Sequence, residues 1–118
     1  MGHFPGFPRG TKYTPVPNLL LEALLDEIED VGELKCTLRF LGMANQHKGF
    51  PSAIPMLDLL EDRTLLAALK GPQEIRRSLQ QAVARGTLLR VERSHGGPMY
   101  LLHTQANREY VERLPQNV

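Results

Sequence analysis

The chain has a single cysteine, Cys36, in 118 residues. That excludes an internal disulfide and any thiolate-rich zinc site. Cys36 lies in a strongly apolar stretch, where a free cysteine packs as a small hydrophobe. No run approaches the roughly 18 apolar residues needed to span a bilayer. No basic-then-apolar signal segment opens the sequence. Together these features predict a cytoplasmic protein with no membrane partner. The charge excess is also missing: the net charge is +1, so the chain as a whole does not attract polyanions. Signatures of catalysis are absent too. There is no phosphate-binding glycine loop, no nucleophile elbow and no paired metal-ligand spacing. Gly96-Gly97 is too short to cradle phosphate and reads as a hairpin turn. His3, His47, His95 and His103 are scattered, and Asp58, Glu61 and Asp62 read as a solvated helix face. The expectation is a protein with no catalytic residues, no metal and no cofactor.

What the chain does have is enough apolar sequence for one domain with its own core. Hydrophobic residues make up 42% and charged residues 23%, as in ordinary soluble domains. The charge is unevenly placed. Residues 1–30 carry Glu22, Asp26, Glu27, Glu29 and Asp30 against Arg9 and Lys12. Residues 72–95 carry Arg76, Arg77, Arg85, Arg90 and Arg93 against Glu74 and Glu92. The second segment is either a polyanion-facing surface or a solvated helix face.

Four prolines and three glycines within residues 1–17 predict an extended arm, since proline removes backbone donors and biases its predecessor away from α. Phe4, Phe7, Tyr13 and Val16 give the arm apolar anchors, with Tyr13 to Val16 expected against the body or another subunit. Residues 18–118 are expected to form a single domain. Asn18 is a candidate cap for a helix to about Asp30, with Leu20, Leu21, Leu24, Leu25 and Ile28 inward. A core helix from about Glu33 to His47 follows. It is apolar on two sides, through Leu34, Leu38 and Leu41 and through Cys36, Phe40 and Met43. Phe50 to Ile54 suits a short strand. Met56 to Leu69 holds one helix or two, with Asp62 or Thr64 as an internal cap. At the far end, Thr104 caps a helix with Ala106, Tyr110, Val111 and Leu114 on one face.

The most specific stretch is Pro72 to His103. Pro72 at the first helical position, Glu74 in the first turn and Gly86 as the stop delimit a helix. Ile75, Leu79, Ala82 and Val83 form its apolar face. Leu88 to Arg93 and Met99 to His103 are strand-like runs joined by a Gly-Gly-Pro turn. A helix followed by a two-stranded wing is the second half of a winged helix-turn-helix. The predicted fold is therefore mainly α with a small antiparallel β-hairpin, with extra N- and C-terminal helices around the winged helix. Such folds commonly lay the second helix of the motif in the DNA major groove. Arg reaches guanine or phosphate and Gln reaches adenine. The candidate DNA-contacting residues are therefore Gln73, Arg76, Arg77, Gln80, Gln81 and Arg85 on the helix, with Arg90, Arg93 and His95 on the wing. In this reading Gln73, Arg77, Gln81 and Arg85 face away from the core, with Arg76 and Gln80 flanking.

Three phrases carry a resemblance: Gly10-Thr11-Lys12-Tyr13-Thr14-Pro15-Val16-Pro17, Asp62-Arg63-Thr64-Leu65-Leu66 and Ala82-Val83-Ala84-Arg85-Gly86-Thr87-Leu88-Leu89. With the order of elements, the chain from about Gly10 to Leu114 resembles the N-terminal winged-helix domain of DnaD-like replication-initiation (primosomal) proteins. The resemblance implies DNA association, primosome assembly with other replication proteins, and self-association through an added N-terminal element. It brings no catalytic residues, and the family's usual second domain is not matched within these residues. Three readings follow. The first is a DNA-binding winged helix in replication or in transcriptional regulation. The second is a winged helix used only for protein–protein contact and oligomerisation. The third is an enzyme or small-ligand protein. The excess of leucine after the arm predicts a homodimer or higher oligomer paired through the arm and first helix.

Overall fold

The computed structural model describes residues 2–115. The first residue of the arm expected over 1–17, and the last three of the domain expected over 18–118, lie outside the described residues. The arm has no regular structure. Its base meets the body: Val16 packs on a small cluster with Leu20, Ile28 and Leu41, while Tyr13 is 83% exposed.

The helix expected over 18–30 is two short pieces, α1 (Asn18–Leu21) and α2 (Ala23–Glu27). They are separated by Glu22, whose backbone leaves the helical region (φ −119°, ψ −101°). Asn18 is the first helical residue and Pro17 stands in the cap position, without a side-chain bond. The expected leucine stripe is correspondingly divided. Leu20 and Ile28 are buried, but Leu21 and Leu25 stay 54% and 47% exposed.

Helix α3 (Val31–Gln46) starts two residues before the expected Glu33, because Asp30 caps it by accepting the Glu33 amide at 2.8 Å. Cys36, Phe40 and Leu41 are buried, whereas Leu38 is exposed. Burial pushes the Cys36 thiol up to about 12, so it remains an inert thiol. Strand β1 (Ile54–Pro55) runs into α4 (Met56–Leu60) and α5 (Arg63–Leu69). Two helices form here because the Asp62 carboxylate accepts the Leu65 amide at 2.9 Å and restarts the chain. Arg39 of α3 clamps the same carboxylate from the side, at 3.0 and 2.8 Å, and holds the Asp62 carboxyl below the ordinary range.

Helix α6 (Pro72–Arg85) ends at Gly86, which sits in the left-handed region at φ 95°, where a side chain is strained. The hairpin follows as β2 (Leu88–Val91) and β3 (Met99–Leu102), then α7 (Gln105–Glu112) with the Thr104 hydroxyl accepting the Asn107 amide. The sheet is antiparallel in the order β1-β3-β2, with Ile54 opposite Tyr100 and Leu88 opposite Leu102. Helix, strand, helix, helix and hairpin in this arrangement make a winged helix, with α1, α2 and α7 added at its ends. The main core joins Cys36 and Phe40 of α3, Leu65 and Leu69 of α5, Ile75, Leu79 and Ala82 of α6, and Leu88 and Tyr100 of the sheet. Helix α6 is thus seated against α3, α5 and both hairpin strands, and its orientation is fixed by burial.

Candidate nucleic-acid interface

The inward face of α6 is set by Ile75, Leu79 and Ala82, all without exposure. Ser78 is also fully buried, which turns the helix further toward α3 than its apolar pattern alone indicates. Gln81 and Arg85 lie on the same side of the helix as Ser78, and these are only partly exposed. The face open to solvent is therefore Gln73, Arg76, Gln80 and Ala84, with Arg77 at its α3-side border. Three of the six expected helix contacts, Gln73, Arg76 and Gln80, lie on that open face. Gln81 and Arg85 do not, which corrects their expected outward placement. The cause is the polar seam between α3 and α6.

That seam is built from ion pairs. Glu33 is 1% exposed, and Arg85 grips it with two bonds, Nε to Oε2 at 2.6 Å and Nη2 to Oε1 at 3.1 Å. Glu27 lies 3.9 Å from the same guanidinium. A carboxylate removed from water needs such a bidentate partner, so Arg85 is committed to the fold. Arg77 spans two carboxylates, donating from Nη1 to Asp30 at 3.0 Å and from Nε to Glu74 at 2.9 Å. The Arg77 guanidinium, followed by the Glu33 amide, holds the Asp30 carboxyl below its usual range. Asp30 is therefore charged at neutral pH. Unlike Arg85, Arg77 keeps 42% of its side chain in solvent.

Arg76 differs from Arg77 and Arg85: its Nη1 approaches the Met56 sulfur at 3.5 Å. On the wing, Arg90 donates to Glu92 at 2.6 Å. Arg93 curls over the turn and donates to the carbonyls of Gly97 and Gly96, at 2.7 and 2.9 Å. It shapes the wing from within, and those donors are not turned outward. His95 is exposed on the turn itself.

The helix α6 and the wing are thus brought side by side, as the candidate residues require. Most of their cationic charge is already matched inside the chain. Sequence reasoning missed the partners Asp30 of Arg77 and Glu33 of Arg85. A signal was present for one of them. Ser78, Ala82 and Arg85 fall on one side of α6, and two small residues in line mark a close helix contact whose continuation is not solvent.

A cleft of about 430 Å³ lies elsewhere, where the end of α3 meets β3 and α7. Its walls include Leu41, His47, Phe50, Leu102 and Asn107. Among the described residues no group of three or more His, Cys, Asp and Glu side chains is placed to hold a metal ion. No helix among them is long and apolar enough to cross a membrane. Comparison with known proteins returns no matching family, no matching curated protein and no matching solved structure.

Proposed function

We propose that this chain is a DNA-binding winged helix of the DnaD-like kind, acting in replication initiation. The observation that carries the reading is the open face of α6. Gln73, Arg76 and Gln80 project from three successive turns of a helix whose other side is sunk in the core. A rigidly seated helix with Arg and Gln outward has the chemistry to read base edges in a major groove. The wing would supply contacts from His95 and from the outer side of Arg90. With few unmatched cations, the predicted complex makes few phosphate contacts and depends only modestly on salt.

Replacing Gln73, Arg76 and Gln80 together by Ala is expected to weaken duplex binding by about 100-fold or more, since three base contacts of roughly 1–3 kcal/mol each are lost. The melting temperature should stay within about 2 °C of the parent, as exposed substitutions act weakly on stability. Fluorescence anisotropy on a labelled duplex, at low and moderate salt, checks both this and the reading itself. Equal affinity of the two proteins at every salt concentration would remove α6 from the interface.

A second reading, contact with proteins alone, is supported by a separate observation. Leu21 and Leu25 of the first two helices, and Val31 and Leu38 of α3, are exposed, as are Phe4, Phe7 and Tyr13 of the arm. Apolar side chains exposed in this number mark an interface. A homodimer formed through the arm and first helices fits them, and other replication proteins are the alternative occupants. Sedimentation of the intact chain and of a chain starting at Asn18 checks it. The expected result is a dimer at tens of micromolar that is lost without the arm. A monomer in both cases would end the self-association reading.

A further inference from the structure

Arg77 is the arginine that stands at the edge of the open face, and its present partner is a carboxylate from a different element. Asp30 reaches it across the α3–α6 seam with both oxygens, at 3.0 and 3.4 Å. This pair differs in kind from the neighbouring Arg85–Glu33 pair. Glu33 is sealed from solvent, whereas the Asp30 and Arg77 side chains are 32% and 42% exposed. An exposed pair contributes little to folding, typically under about 1 kcal/mol. The contact can therefore be exchanged without dismantling the helix seam. A planar guanidinium held by a carboxylate is also suited to a phosphate, which offers the same pair of acceptor oxygens.

We propose that Asp30 is a built-in competitor for backbone phosphate: its carboxylate occupies Arg77 in the free protein and gives way to a nucleic-acid phosphate on binding. The inference rests on the DNA-binding reading and adds to it a restraint on affinity. Two further carboxylates lie on the same seam. Glu74, one turn away on α6, accepts from Arg77 at 2.9 Å. Glu33 follows Asp30 by three residues but is taken by Arg85. Of the three, only Asp30 comes from outside α6 and is free of the buried pair. Its second task is to cap α3 through the Glu33 amide, and an asparagine performs that task as well as an aspartate. Charge can thus be removed at this position while the cap is retained.

The test uses the intact chain and its variants Asp30→Asn, Arg77→Ala and the two combined, with Asp30→Ser as a second uncharged cap. Anisotropy titrations against a labelled 20-base-pair duplex are run over a salt series, and the same proteins are titrated with inorganic polyphosphate. Asp30→Asn and Asp30→Ser are expected to bind the duplex about three- to fivefold more tightly than the parent, the range an exposed ion pair can withhold. The plot of log affinity against log salt should steepen by about one phosphate contact. Adding Arg77→Ala should abolish the gain. Parent-like affinity in both Asp30 variants overturns the competitor while leaving DNA binding standing. A gain that survives in the Asp30→Asn/Arg77→Ala protein also overturns it, because the effect then belongs to net charge and not to this arginine. If neither parent nor variant binds duplex, the DNA-binding reading fails. Polyphosphate then decides the competitor separately: a gain that requires Arg77 keeps it, and no gain removes it.

Discussion

Arg85→Ala is expected to lower the melting temperature by roughly 10 °C or more, because it strands a buried carboxylate. By composition Arg85 is one of five arginines on a basic segment, where truncation would be harmless to the fold. The contacts say otherwise. Glu33 is sealed beneath α6, and both of its oxygens are satisfied by Arg85. Without the guanidinium, that carboxylate must stay charged in a poor solvent, take up a proton, or pull the first turn of α3 open to water. A double variant, Glu33→Leu/Arg85→Leu, is expected to melt well above Arg85→Ala, since an apolar pair of similar volume removes the stranded charge. Thermal unfolding followed by circular dichroism checks both. An Arg85→Ala protein that melts with the parent would show that the seam tolerates an unpaired Glu33. The same result would return Arg85 to the set of candidate DNA contacts.

Leu79→Ala is expected to cost about 3–4 kcal/mol, measured as a shift in urea midpoint with the slope unchanged. Leu79 is wholly buried in the main core, on the α6 face opposite Gln73 and Gln80. The loss is a large part of the 5–15 kcal/mol typical of a domain. It should leave a cavity rather than a collapsed site, because α3, α5 and both hairpin strands all contribute core side chains around α6. A cost below about 1 kcal/mol would mean that α6 is not seated as described.

These two residues also show what was legible in the sequence. Leu79 was readable: a proline start, an apolar repeat and a glycine stop place α6 at Pro72–Arg85 and turn Leu79 inward. The hairpin was readable for the same reason, since turn residues between two short β-prone runs leave little choice of register. Arg85 was not readable. Hydrophobic periodicity assigns polar residues to solvent by default, and it takes no account of a carboxylate 52 residues earlier in the chain. Asp62 was half legible: its cap of α5 was among the expected ones, whereas the clamp by Arg39 of α3 has no signal in periodicity. The leucine-rich start failed differently. Its periodicity suited one helix, but the chain breaks at Glu22 and leaves Leu21 and Leu25 outside. Periodicity reports which residues are able to share a face, not whether this domain has core left to receive them.

The strand order β1-β3-β2 carries a consequence for how the molecule comes into being. The middle strand in space is the last in the chain. Every ladder bond of the sheet has β3 as one partner, so nothing of the sheet can exist while Met99–Leu102 is still being synthesised. The helices α3, α5 and α6 are complete well before that point and can assemble on one another through local contacts. β1 must wait for a partner more than forty residues downstream, a pairing whose loop-closure entropy is offset only if those helices already hold the ends together. The order of the chain thus favours a helical scaffold that is in place before the sheet can pair, with only α7 made after the wing.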